Sequence, residues 1–205
     1  MNLAKELFRI TQDSYNKCTH RVKEVECYVH QTEEYQVVAF RGTEASLFFS
    51  GGGWRDIIRD LRVIPWHDKR VGWAHSGFLK GARGVVDTYL VKELDKNKPT
   101  YLTGHSLGGA LAVVAAKLMH EEGFNVCGTR TFGAPRSLLK SSLESYKAAD
   151  LDTVEYSNLG DPIPDIPFRF FKFRHINEVF TPRRRNGYSV MRNHMIPHYK
   201  ESFDV

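Results

Sequence analysis

Hydrophobic and polar residues follow one another along the chain in two patterns, one with a period of two and one close to 3.6 residues. The shorter period predicts extended strands, and the longer one predicts helices with one apolar face. The predicted strands cover residues 22–29, 35–40, 99–103, 126–132 and 153–157. The predicted helices begin near the N terminus, with Leu3, Leu7 and Ile10 facing inward, and continue at about 54–61, 78–90, 107–118 and 137–149.

This alternation of strands and helices indicates the fold class. Repeated strand–helix–strand units produce a mostly parallel sheet with helices on both faces, so the sequence predicts an α/β fold. A length of 205 residues suits one hydrophobic core and is short for two. No repeat, low-complexity tract or linker interrupts the chain, which predicts a single domain over residues 1–205.

The N terminus and the cysteines bear on where the protein is found. The first ten residues mix charged and apolar side chains and lack the apolar core of a secretory signal. This predicts a cytoplasmic protein, with export by another route left open. Cys18, Cys27 and Cys127 are odd in number and lack metal-ligand spacing, so they are predicted to be buried thiols. No apolar run approaches the roughly 18 residues of a membrane span, and no transmembrane segment is predicted.

The net charge of +5 is unevenly distributed. Basic residues crowd the C-terminal part of the chain, and no recognised nucleic-acid-binding motif accompanies them, so no nucleic-acid partner is predicted. A solvated loop rich in arginine is the leading interpretation, and transient contact with anionic lipid headgroups is the alternative. The residues concerned are Arg169, Lys172, Arg174, Arg183, Arg184, Arg185 and Arg192.

Residues 103–110 read Thr-Gly-His-Ser-Leu-Gly-Gly-Ala and lie between a predicted strand and a predicted helix. In this context the G-x-S-x-G pattern is typical of a tight strand-to-helix turn that exposes the serine hydroxyl. The glycines two residues to either side of Ser106 remove side chains that would clash there. Ser106 is therefore the predicted nucleophile, and a buried serine at a glycine-rich junction is the alternative.

A serine hydroxyl needs a base to take its proton and an acid to orient that base. The order nucleophile, acid, histidine that is expected for such a fold places both partners after Ser106. Asp161, close to the end of the predicted strand at 153–157, is the preferred acid, whereas Asp165 lies farther away. The candidate bases are His175, in a strand-like run, and His194 and His198, in a C-terminal segment that reads as a loop.

Several further motifs occur in order between about residues 35 and 199. They are Val38-Ala39-Phe40-Arg41-Gly42-Thr43, the stretch from Trp54 to Asp60-Leu61, His75-Ser76-Gly77-Phe78, Gly104 to Ala110, Thr131 to Arg136 and Asp161 to Pro164. A chain with these motifs in this order resembles the class 3 lipase family, the fungal triacylglycerol lipase type.

The resemblance implies an α/β-hydrolase fold and a Ser-His-Asp triad. It also implies that Thr43 and the backbone N–H of Leu107 form the oxyanion hole, because two donors must face the developing negative charge. Many family members place a tyrosine shortly after the catalytic histidine. Tyr199 follows His194 by five residues and is adjacent to His198, and this spacing favours His194 as the base.

In the family, the region between Thr43 and Trp54 holds a lid over the active site. Leu47, Phe48 and Phe49 would cover an acyl pocket, and the glycines at 51–53 would give a flexible hinge. A surface loop with incidental apolar residues is the alternative.

Together these residues predict a lipase-like carboxylic ester hydrolase that acts on acylglycerols or related lipid esters through an acyl-enzyme. No metal or organic cofactor is predicted. A phospholipase A1 or an esterase for small esters is the alternative among enzymes. A non-catalytic protein with a hydrolase fold that binds a lipid or a partner is the alternative outside them.

Overall fold

The computed structural model describes residues 2–42, 64–181 and 190–201. The predictions for Thr43, for the lid at 44–53 and for a helix at 54–61 lie outside these residues. The strands are β1 (His20–Val22), β2 (Val25–Gln31), β3 (Gln36–Phe40), β4 (Pro65–Asp68), β5 (Gly72–His75), β6 (Thr100–His105), β7 (Val126–Phe132), β8 (Leu138–Leu139), β9 (Thr153–Asn158), β10 (Phe173–Arg174) and β11 (Glu178–Thr181). The α-helices longer than one turn are α1 (Leu3–Asp13), α2 (Ser76–Val85), α3 (Leu107–Glu121), α4 (Lys140–Ala148) and α5 (Ile196–Lys200).

A seven-stranded sheet in the order β1-β2-β3-β6-β7-β9-β11 forms the centre of the fold. Strand β2 is antiparallel to both β1 and β3, and all pairings from β3 to β11 are parallel. The carboxyl ends of β6, β7 and β9 therefore meet at one edge, where reactive groups collect in open α/β sheets. The predicted mostly parallel sheet is confirmed.

Helices cover both faces of this sheet because successive side chains of a strand point to opposite sides. On one face, Leu7 and Ile10 of α1 form a buried cluster with Val37 and Ala39 of β3. On the other face, β3 contributes Val38 to the larger core, which α2 and α3 complete. The predicted α/β fold with helices on both faces is thus observed.

A smaller sheet in the order β10-β8-β5-β4 was not predicted from the sequence. All its strand pairs are antiparallel. The backbone N–H of His75, at the end of β5, donates to the carbonyl of Ser137, the residue before β8, at 2.9 Å. Its two longer strands have only four residues each, and most of the β4 side chains are exposed. Such short and exposed strands leave little periodicity to detect.

Several element boundaries differ from the predictions. The strand expected at 22–29 is divided into β1 and β2 by a turn in which Lys23 has a φ of 52°. Helix α2 continues through a π-helical turn, Val86–Leu90, into a last helical turn, Val91–Glu93. The first residues of the helix expected at 137–149 belong to β8 instead, and α4 begins at Lys140. Within the three described ranges, no helix combines the length and apolar character needed to cross a bilayer.

Candidate active site

Ser106 lies at the turn between β6 and α3, where its backbone adopts φ 56° and ψ −130°. A positive φ is unfavourable for a residue with a side chain, and such strain is held by the surrounding structure. The Ser106 N–H donates to the Phe132 carbonyl at 2.9 Å, which ties the turn to β7. A methyl group on Gly104 would clash with the Gly108 backbone, and one on Gly108 would clash with the Phe40 carbonyl. Both glycines of the motif are thus needed for close backbone approach.

Three side chains that the sequence singled out form one hydrogen-bonded chain. His194 Nε2 lies 2.8 Å from Ser106 Oγ, and His194 Nδ1 lies 2.8 Å from Asp161 Oδ2. Because the carboxylate only accepts, Nδ1 carries the imidazole proton and Nε2 accepts from the serine hydroxyl. All three side chains are buried. This arrangement can take the serine proton while the carboxylate stabilises the resulting imidazolium.

The Asp161 carboxylate is fixed by further hydrogen bonds. The Ile163 N–H donates to Oδ1 at 2.9 Å, and the Tyr199 hydroxyl donates to Oδ2 at 2.7 Å. The Tyr199 hydroxyl also accepts from the Asn158 N–H at 3.0 Å. Burial, followed by the nearby Asp161 charge, raises the pKa of Tyr199 well above its ordinary value. Tyr199 therefore stays protonated and acts as a permanent donor to Asp161.

His105 belongs to the site although sequence reasoning gave it no role. Its Nε2 lies 2.7 Å from the His194 carbonyl oxygen, so Nε2 carries the proton and donates. Its Nδ1 accepts from the Tyr15 hydroxyl at 2.8 Å. Burial, with a smaller effect from His194, lowers the pKa of His105 well below its ordinary value. A neutral His105 thus holds the backbone of the proposed base, and its place in the Gly-His-Ser-Leu-Gly motif was the available signal.

Gly133 is a further glycine at the site, with a φ of 63°. A methyl group there would lie 2.9 Å from Asp161 Oδ2, 3.0 Å from the Tyr199 hydroxyl and 3.1 Å from His194 Cε1. The sequence contained this glycine in the Thr131 to Arg136 motif. The structure gives the reason for it, because the β7 end packs directly against the acid and the base.

The competing candidates for acid and base contact residues other than Ser106, His194 and Asp161. Asp165 pairs with the guanidinium of Arg136 at 2.9 Å, and His198 lies 3.4 Å from the Glu201 carboxylate. His175 packs between Glu155 Oε1 and the Pro164 carbonyl, each at 2.8 Å, which fits the prediction that it orients a loop or strand. The loop predicted around His194 and His198 is wrong. A 3-10 turn, Val190–His194, leads into α5 there.

Leu107 is the first residue of α3, so its N–H belongs to the group of amides at a helix start that have no intrahelical acceptor. It directly follows Ser106, which is the position expected of an oxyanion donor. Thr43, the other predicted donor, lies outside the described residues. Among the parts of the chain that the structure describes, no group of His, Cys, Asp and Glu is arranged to hold a metal ion.

The three cysteines are free thiols, and only Cys27 is buried. Burial raises the pKa of Cys27 to about 12. Cys18 is exposed and Cys127 is partly exposed, so the prediction of three buried thiols is wrong. Cys127 lies on β7, and Cys18 lies two residues before β1.

The sheet order, the serine turn between β6 and α3, and the Ser-His-Asp hydrogen bonds define the α/β-hydrolase class. Within that class, the family model for lipase (class 3) matches residues 37–171. The chain belongs to this family.

Individual proteins that resemble this chain are also named as lipases. The chain is similar to secreted mono- and diacylglycerol lipase A of Penicillium cyclopium, with 27% identity over 169 residues, 79% of this chain and 52% of that protein. It is also similar to secreted mono- and diacylglycerol lipase 1 of Fusarium solani, with 32% identity over 113 residues, 52% of this chain and 33% of that protein. The matched part of the chain thus spans about half the length of the Penicillium protein and about a third of the Fusarium protein. Among solved structures, lipase II from Rhizopus niveus has a TM-score of 0.67 and 21% identity, covering 87% of this chain and 76% of that one.

The predicted cytoplasmic localisation is wrong in the light of these relatives. Both fungal proteins are named as secreted lipases, which points to an extracellular location. The prediction rested on the character of the first ten residues, and a short N-terminal stretch is weak evidence against export.

Proposed function

We propose that this protein is a carboxylic ester hydrolase that acts on acylglycerols through an acyl-enzyme on Ser106. The observation that carries the proposal is the pair of 2.8 Å hydrogen bonds that join His194 to Ser106 and to Asp161. The names of the fungal relatives, which are mono- and diacylglycerol lipases, support the choice of substrate class.

In the first half of the reaction, Ser106 Oγ attacks the carbonyl carbon of the ester while His194 Nε2 takes the hydroxyl proton. Asp161 accepts the Nδ1 proton in a hydrogen bond and stabilises the imidazolium without itself becoming protonated. The carbonyl π bond opens and leaves a negative charge on oxygen. That oxygen would be held by the N–H of Leu107 together with Thr43.

The tetrahedral intermediate collapses when the bond to the alcohol oxygen breaks and His194 gives its proton to that oxygen. The alcohol, for example a glycerol with one acyl chain fewer, leaves. Water then gives a proton to His194 and attacks the acyl carbon, and the bond to Ser106 Oγ breaks. The fatty acid is released, and Ser106 recovers its proton.

We also infer the domain organisation, the location and the physical state of the substrate. The described chain is one domain, since its two sheets share the core around α2 and α3. The protein works outside the cell, as the names of its relatives suggest. Its substrate is presented in a lipid surface, with which the protein makes transient contact.

A panel of esters separates the proposal from its alternatives. Hydrolysis of monoacyl-, diacyl- and triacylglycerols, a phosphatidylcholine and a short soluble ester is measured at pH 8, with His194→Ala and His198→Ala beside the unmodified chain. We expect hydrolysis of acylglycerols above that of the phospholipid. Loss of all rates in His194→Ala should accompany near-normal rates in His198→Ala.

Each other outcome contradicts a defined part of the proposal. Preference for the phospholipid would indicate a phospholipase, and activity on the short ester alone would indicate an esterase. No turnover of any ester by the folded, unmodified chain would indicate a binding protein. A large loss in His198→Ala with little change in His194→Ala would mean that the base is misassigned.

A further inference from the structure

Five consecutive residues, Phe168-Arg169-Phe170-Phe171-Lys172, are exposed on the surface and form what we call the aromatic–basic segment. Its three phenylalanines are 53%, 73% and 42% exposed. Phe170 contacts both others, with ring centroids 5.9 Å from Phe168 and 4.0 Å from Phe171. A cluster of three exposed phenylalanines is unfavourable in water, and such patches mark sites of interaction.

The backbone of the aromatic–basic segment is held at both ends. On its N-terminal side, the buried guanidinium of Arg136 donates to the Pro167 carbonyl at 3.1 Å. On its C-terminal side, the Lys140 N–H donates to the Lys172 carbonyl at 2.9 Å, and the next residue, Phe173, is buried. Between these anchors the Lys172 N–H donates to the Arg169 carbonyl at 2.9 Å. The exposed rings are therefore presented by a fixed turn of chain.

The charge of the segment is positive, and a nearby acid offsets it only in part. The Arg169 side chain is 68% exposed and lies 3.9 Å from Glu178. That glutamate is shared, because it also accepts from the Ser157 hydroxyl at 3.0 Å, and Asp165, which precedes the segment in the chain, pairs with Arg136. Lys172 is exposed. Cations that alternate with aromatic rings match a surface with anionic headgroups above an apolar layer.

We propose that the aromatic–basic segment docks the protein onto an anionic lipid surface. The phenylalanine rings enter the boundary between headgroups and acyl chains, while Arg169 and Lys172 bind the phosphate or carboxylate groups around them. The inference rests on the proposed function in one respect, since a lipid ester substrate lies in such a surface. In the chain, the segment begins seven residues after Asp161, the proposed acid.

Vesicles of ether-linked phospholipids test the docking without any hydrolysis. The dissociation constant is measured by co-sedimentation for ether-linked phosphatidylcholine alone and with one-third ether-linked phosphatidylglycerol. We expect the unmodified chain to bind the anionic vesicles at least about tenfold more tightly and to lose this preference in high salt. Arg169→Gln with Lys172→Gln should weaken binding about 25-fold, about fivefold for each charge. Phe168→Ser with Phe170→Ser and Phe171→Ser should weaken it at least about tenfold.

Trp73→Ser provides the matched control, because Trp73 is an exposed aromatic residue on the smaller sheet. It should leave vesicle binding unchanged, and all variants should hydrolyse a short soluble ester at the normal rate. Equal binding to both kinds of vesicle, or equal losses in the control and in the phenylalanine variant, would overturn the docking proposal. So would binding that depends on an added protein or nucleic acid. Normal docking by a chain that hydrolyses no ester would overturn the proposed function and leave the docking intact.

Discussion

Tyr199 donates its hydroxyl proton to Asp161 Oδ2 at 2.7 Å, the same oxygen that accepts from the proposed base. This contact explains the tyrosine spacing that favoured His194 over His198 in the sequence. Tyr199 lies on α5, which begins two residues after His194, and its ring is fully buried. A tyrosine five residues after the base can therefore place its hydroxyl against the acid. His198 precedes Tyr199 on the same short helix.

Tyr199→Phe removes this donor and leaves the Asn158 N–H without its hydroxyl acceptor. We expect the free energy of unfolding to fall by about 1–3 kcal/mol, the usual cost of losing such a buried hydrogen bond. The value of kcat should fall by about tenfold, because the carboxylate loses one of the contacts that position it. Urea denaturation and steady-state hydrolysis measure the two effects. An unchanged kcat would show that the contact only stabilises the fold.

Gly133→Ala should reduce kcat strongly, because its methyl group would lie about 3 Å from Asp161, Tyr199 and His194 atoms. Gly123→Ala is a matched control, since Gly123 also has a positive φ, 85°, but a methyl group there has no neighbour within 4 Å. Both variants should lose about 1 kcal/mol of stability through backbone strain. Only Gly133→Ala should lose activity, by about 100-fold or more. Equal activities would refute the crowding argument.

Asp161→Asn and Asp165→Asn distinguish the two candidate acids. Asparagine at position 161 can donate to the imidazole and so favour the wrong tautomer, which costs about 10⁴-fold in kcat in serine hydrolases. Asp165 pairs with Arg136 and its side chain is 72% exposed, so Asp165→Asn should keep nearly full activity. Steady-state kinetics on a short soluble ester measure both. The opposite ranking would transfer the acid role to Asp165.

His175 should make the stability of the fold depend on pH. Both of its ring nitrogens face acceptors, Glu155 Oε1 and the Pro164 carbonyl, so the imidazolium satisfies both contacts. Burial opposes the charge, but the carboxylates of Glu155 and Glu178 outweigh it and raise the pKa of His175 above its ordinary value. A pKa raised by folding adds stability that is fully present below the unfolded value of about 6.5 and is lost as the pH rises through the folded value.

His175→Gln tests this dependence. The variant should lose about 1–3 kcal/mol of unfolding free energy at pH 5.5, and the gap to the unmodified chain should shrink toward pH 9. Urea denaturation at intervals of half a pH unit measures the gap. A difference in unfolding free energy that is constant or widens with pH would show that His175 is neutral in the folded protein.

The parts of the fold that follow from long periodic segments were predictable from the sequence. The predicted strand at 126–132 has the same bounds as β7, and the helix after Ser106 begins at Leu107 as expected. The C-terminal helix α5 was missed because a helix of five residues that includes Pro197 leaves too little helical periodicity to detect. Proline is tolerated in the first turn of a helix, where its missing N–H has no acceptor to lose, and Pro197 lies there.

The candidate site was predictable where chain order constrains it. Ser106, Asp161 and His194 follow β6, β9 and β11, which are parallel strands of one sheet, so topology brings them to one edge of that sheet. The contact of Tyr15 with His105 was not predictable, since it joins residues 90 positions apart and leaves no local pattern.

The most direct test of the central claim is the site of reaction with a fluorophosphonate, which reacts with an activated serine. The unmodified chain is treated with the probe at neutral pH, digested and analysed by mass spectrometry. We expect one adduct per chain, on Ser106 Oγ, and none in Ser106→Ala, whose kcat should be lower by about 10⁶-fold. An adduct on a different serine, or turnover that persists in Ser106→Ala, would contradict the account.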